Sequence, residues 1–159
     1  MRRMIFAALA LVLATTMMRP ALAEDPQAGY YYPKPKSMET YQARVATLPD
    51  SDRSRRIGFV TGIAKEIASK PYAAGYLIFA KGDEADKLII VGMSDGELST
   101  VYRARALLAT LTASARSTQF FQQNAIADYA TFLDFLKLLG FKQVTITDGV
   151  AFAHQIRIE

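Results

Sequence analysis

The chain has 159 residues, 51% of them apolar and 21% charged, with a formal charge of +4 and no cysteine. That composition is globular rather than disordered, and one domain is expected at this length. The missing cysteine excludes disulfides, thiolate metal sites, cysteine nucleophiles and lipid attachment through sulfur.

Arg2 and Arg3 precede an apolar run from Met4 to Leu13, and Ala21-Leu22-Ala23 follows as a small-x-small cleavage site. This is the order of a secretory signal peptide, expected over residues 1–23. The run is too short for a span, because Thr15, Thr16 and Arg19 interrupt it. Cleavage after Ala23 leaves 136 residues with sixteen basic and fifteen acidic side chains, a balance of +1. A nucleic-acid partner would demand a large basic excess, so that class is excluded. The expected location is the periplasm, or the medium, with no stable membrane span after cleavage.

Residues 24–36 read as an extended arm rich in Tyr and Pro, with Tyr30, Tyr31 and Tyr32 in sequence. These rings either pack over the domain or present an aromatic binding surface. Residues 37–159 read as one domain. Ser37 caps an expected short helix with Met38, Tyr41, Val45 and Leu48 on one face. A second helix is expected from Ser51 to Ser69. Gly58 and Gly62 within it each cost about 1 kcal/mol against Ala, and close packing on the sheet would offset that. Tyr76–Ala80 and Lys87–Val91 read as strands around an acidic turn. Ser99 or Thr100 caps a long helix to Arg116, with Val101, Leu108 and Leu111 turned inward. Phe120 and Phe121 fall in a connector. Ala127–Leu139 reads as a helix ended by Gly140. The last segment reads as a hairpin of Gln143–Thr147 and Ala151–Ile158 about a two-residue Asp148-Gly149 turn. Strands and helices thus come in pairs, in the order ααββααββ. The expected fold is α+β, with an antiparallel sheet of two hairpins packed with about four helices.

Gly92-Met93-Ser94-Asp95-Gly96 carries the letters of the nucleophile elbow of serine hydrolases, and His154 follows later in the chain. Asp95-Gly96 also explains itself as turn chemistry. His154 is the one histidine and alternates with apolar residues on the last strand. It is either a core histidine with one hydrogen-bonded partner or a proton-transferring group. One histidine without cysteine makes a zinc site unlike known ones, and Asp83, Glu84 and Asp86 lack calcium-loop spacing. No cofactor and no metal is therefore assigned.

Arg53, Arg55 and Arg56 fall at the start of one expected helix, and Arg103 and Arg105 at the start of another. Cations are mildly unfavourable there. They either pair with Asp50, Asp52, Asp95 and Glu97 or join helix amides in an anion site. The second reading requires the two helix starts to converge.

Four stretches carry a resemblance. They are Arg56-Ile57-Gly58-Phe59-Val60-Thr61-Gly62, Phe79-Ala80-Lys81-Gly82-Asp83-Glu84-Ala85, Tyr102-Arg103-Ala104-Arg105-Ala106-Leu107-Leu108 and Phe152-Ala153-His154-Gln155. From about Tyr30 on, the chain resembles a family of small exported proteins of Gram-negative bacteria. Members often bear the label molybdopterin-guanine dinucleotide biosynthesis protein A. The label implies a transferase that joins GMP to molybdopterin with GTP and magnesium. The Leu-Ala-Gly-Gly-x-Ser-x-Arg-Met-Gly loop of that enzyme does not occur here, so none of its catalytic residues carries over.

The sequence thus leads to an exported, non-enzymatic binding or accessory protein for an anionic small molecule or a periplasmic protein partner. Arg56, Lys81, Tyr102, Arg103 and Arg105 are the candidate contacts. The alternatives are a molybdenum-cofactor protein, as the label implies, and a small hydrolase using Ser94 and His154.

Overall fold

A computed structural model describes residues 33–159. The expected signal peptide and the Tyr30–Tyr32 run lie outside the described residues. Among the described residues, five strands and four helices form an α+β fold. The strands are β1 (Ser37–Tyr41), β2 (Tyr76–Lys81), β3 (Lys87–Gly92), β4 (Gln143–Thr147) and β5 (Ala153–Ile158). The helices are α1 (Arg53–Ala68), α2 (Val101–Arg116), α3 (Gln119–Gln123) and α4 (Phe132–Leu138).

The sheet runs in the order β1-β5-β4-β3-β2. Both expected hairpins are present, since β2–β3 and β4–β5 pair antiparallel. The sheet is nevertheless mixed rather than antiparallel, because β3–β4 and β1–β5 are parallel. The connection from β3 to β4 carries α2, α3 and α4 across the sheet, so β4 starts from the same end as β3.

The second difference is at the start. The segment expected as a helix from Ser37 opens with β1 instead. Its backbone pairs with β5 from Ser37↔His154 to Tyr41↔Ile158, and that long-range ladder overrides the helical spacing. Ser37, Glu39 and Tyr41 turn toward the helices, while Met38 is 67% exposed. Val45 and Leu48 do turn inward, from an irregular segment, onto a small cluster of Phe121, Ile126, Ala130 and Leu138.

Two further boundaries move for local reasons. The helix expected over residues 127–139 begins only at Phe132, where Thr131 and Asp134 form a reciprocal capping box. Gly140 ends it at φ +80°, as its position implied. Phe120 and Phe121 lie in α3 rather than in a bare connector. The last turn has five residues, not two. Asp148 Oδ1 accepts from the backbone N–H of Val150, Ala151 and Phe152, each at 2.9 Å, which draws the loop round its carboxylate.

The main core lies between the helices and one face of the sheet. Leu88, Ile90, Val144, Ile146 and Ile156 are fully buried there, and Phe59, Val60 and Ile63 of α1 and Leu107, Leu108 and Leu111 of α2 pack against them. Phe132, Leu133 and Leu136 of α4 complete it. Gly58 and Gly62 are not packing glycines, because a Cβ on either would meet nothing within 4 Å. They lie on the solvent side of α1.

Candidate functional site

The two arginine groups do not converge. Asp52 caps α1 by accepting from Arg55 N at 2.7 Å, and Arg55 pairs with Asp50. Arg53 Nε donates to Asp83 O at 3.0 Å. Arg56 is buried, contrary to its expected place on a ligand surface. Its Nε and Nη2 donate to Glu84 O at 2.9 and 2.7 Å, and its Nη1 donates to Leu139 O at 3.4 Å. Main-chain carbonyls thus hold this guanidinium as a clamp between α1, the β2–β3 turn and the end of α4.

Thr100 caps α2 by accepting from Arg103 N at 3.3 Å. Arg103 Nη1 donates to Gly96 O, in the turn after β3. Glu84 precedes β3 and Gly96 follows it, so the six residues of that strand separate the two arginine groups. That is about 20 Å at the usual rise. An anion site shared by Arg56 and Arg103 is therefore ruled out by topology. Lys81 ends β2 on the side of Arg56, beside a separate groove lined by Ile57, Val60 and Thr61.

Arg103 lines an open groove of about 410 Å³ with Tyr76, Glu97, Leu98, Ala106 and Thr110. Among the described residues its guanidinium bonds only Gly96 O, so Nε and Nη2 remain available. Tyr102 beside it is 86% exposed. Glu97 also lines the groove, and its Oε1 lies over Gly75, where a Cβ would come within 2.8 Å.

Arg105 belongs to a different arrangement. Its Nη2 donates to Glu39 Oε2 at 2.7 Å, and Glu39 Oε1 lies 3.2 Å from His154 Nε2. A carboxylate accepts, so Nε2 carries the imidazole proton. His154 is 0% exposed, and its Nδ1 is buried without a partner. Burial pushes the Glu39 carboxyl up, but the hydrogen bonds from Arg105 and His154 outweigh that and hold it below the ordinary range. His154 is thus a core histidine with one partner, the first of its two sequence readings. Ser94 is exposed in the turn after β3, and its carbonyl accepts from Glu97 N at 3.1 Å. The structure does not join Ser94 to His154 in a hydrogen bond.

Two residues escaped the sequence reading. Glu39 looks like a solvated helix residue until β1 is seen to pair with β5, whereupon it meets His154. Tyr76 enters the groove because the β2–β3 hairpin brings it beside α2. One buried acid is structural: Asp134 accepts from Arg44 N and Thr131 N at 2.7 Å and from Tyr41 Oη at 2.8 Å. Burial raises its carboxyl, and those donors outweigh it and bring it below the ordinary range. No group of three or more histidine or carboxylate side chains placed to hold a metal occurs among the described residues, and no helix there is long and apolar enough to cross a membrane. No family model matches the chain, and no curated protein or solved structure matches it.

Proposed function

We propose that the chain is an exported periplasmic accessory protein that binds a small anionic molecule without transforming it. The carrying observation is Arg103, which lines the groove beside the start of α2 and keeps donors beyond the one bonded to Gly96 O. An arginine fork recognises a carboxylate or phosphate through paired N–H donors. Glu97 in the same lining offers only acceptor oxygens, which narrows the ligand to an anion that also carries hydroxyl or amino donors. Tyr76 and Leu98 supply apolar walls between them. Tyr102, next to Arg103 in α2, is exposed. Arg56 and Arg105 leave the contact set, because each is committed within the fold.

Isothermal titration with citrate, a sugar phosphate and GTP tests this reading. Arg103→Ala is expected to weaken binding at least tenfold while the melting temperature stays within about 2 °C, as surface changes do. Arg105→Ala is expected to bind as the parent does. Normal affinity in the Arg103→Ala chain would sink the site. Preference for GTP over the other anions would favour the molybdenum-cofactor alternative.

A further inference from the structure

At one end of the sheet, β2 has β3 as its one ladder partner among the described strands. The register decides which of its backbone groups turn outward. Met93 N donates to Gly75 O at 2.9 Å, so these two residues form a hydrogen-bonded pair. Such pairs alternate along an antiparallel ladder. Leu77, Phe79 and Lys81 therefore turn their N–H and C=O groups to β3, and Tyr76, Ile78 and Ala80 turn theirs to the outer edge. An outward row of this kind is a template for another strand, and edges are commonly blunted by a proline, a bulge or a charge within the strand. β2 has an unbroken register, no proline, and no charge before its last residue, Lys81. Helix α1 leaves room beside it. Ile57, Val60 and Thr61 of α1 and residues 78–81 line an open groove of about 320 Å³ there. Ile57 and Phe79 in that lining are 37% and 43% exposed.

We propose that β2 is the interface of a homodimer, in which two copies pair edge to edge and antiparallel about a twofold axis at Ile78. Three features select a second copy as the occupant. The first is spacing. The outward residues lie symmetrically about Ile78, so the strand is its own complement. Ile78 meets Ile78, and Tyr76 meets Ala80 of the second copy, as an isologous interface requires. The second is apolar contact. The same register sets Phe79 against Leu77 of the second copy, once on each side of the axis, and a cross-strand aromatic–aliphatic pair is favourable. The third is charge. Lys81 falls opposite Gly75 of the second copy. Glu97 Oε1 occupies the side-chain position of that glycine, 2.8 Å from where a Cβ would stand. Each end of the interface thus sets a lysine against a carboxylate, whereas a parallel arrangement would set Lys81 against Lys81. Two five-stranded sheets become one continuous sheet. Lys81 then reaches the Gly75–Tyr76 end of the Arg103 groove on the second copy, an end that topology denies it within one chain. The interface itself does not depend on what that groove binds.

Sedimentation equilibrium of the protein over a concentration series tests the proposal. The parent chain is expected to show a monomer–dimer equilibrium. Ala80→Pro removes an outward N–H and leaves the β3 ladder whole, so it is expected to fold and to sediment as a monomer. Phe79→Lys, at an exposed position, is expected to weaken the dimer at least tenfold with an unchanged circular dichroism spectrum. Lys81→Glu is expected to weaken it several-fold, and Lys81→Glu with Glu97→Lys to restore it. A parent chain that is monomeric at every concentration would overturn the proposal, even if it took up an extended peptide at the same edge. So would a dimer that survives both Ala80→Pro and Phe79→Lys, because its interface would lie elsewhere. A charge exchange that restores nothing would remove the register, and the proposal with it.

Discussion

Arg56 and Arg103 carry the same side chain at the same kind of place, the first turn of a sixteen-residue helix, yet they do different work. Arg56 is buried against carbonyls of Glu84 and Leu139, so cutting it back strands those acceptors and opens a gap. Arg56→Ala is expected to lower stability by about 2–3 kcal/mol, visible as a shift in the urea midpoint at unchanged slope. Arg103 carries no such structural weight. Glu39 and Asp134 set the response to acid. Both carboxyls are held below their ordinary values in the fold. Their contribution is therefore complete above the unfolded value, about pH 4, and is lost as pH falls through the depressed folded values. The melting temperature is expected to drop steeply below about pH 4, and Asp134→Asn should flatten that drop while lowering the plateau.

At the scale of elements, α1 contains a removable weakness. Gly58 and Gly62 have helical backbone, face solvent and touch nothing with a would-be Cβ. Each Ala substitution is expected to stabilise by about 0.5–1 kcal/mol, and the pair to raise the melting temperature by about 4 °C. Calorimetry of the double variant decides it. A loss of stability would show that the stripe is packed against something. The elements also separate what local sequence encodes from what it does not. Thr100, Gly140, the apolar runs of β2 and β3 and the alternation in β4 and β5 are local signals, and the elements they mark are present. β1 could not be found that way. Met38, Tyr41, Val45 and Leu48 have helical spacing, and only pairing with residues over a hundred positions later makes a strand of Ser37–Tyr41. The start of α4 moved because one capping box at Thr131 and Asp134 outweighs the apolar periodicity before it.

For the whole molecule, the α+β class and the two hairpins were legible, and the parallel joint between them was not. A long helical connection decides whether β4 lies parallel to β3, and spacing carries no record of its path. The same holds for the site. Sequence singled out Arg103 and Tyr102, and these share one end of the sheet with Tyr76 and Glu97. It also grouped Arg56 and Lys81 with them, although those residues lie at the other end. Charge at a helix start is a local property. Whether two helix starts meet depends on which end of which strand each one follows.

The pairing of β1 with β5 has a temporal meaning as well. Among the described strands β1 comes first in chain order, and β5, the last of them, is its one ladder partner. Contacts so distant in sequence close late. During synthesis β1 lacks this partner until β5 has emerged, so the described sheet closes only after every other described element has been made.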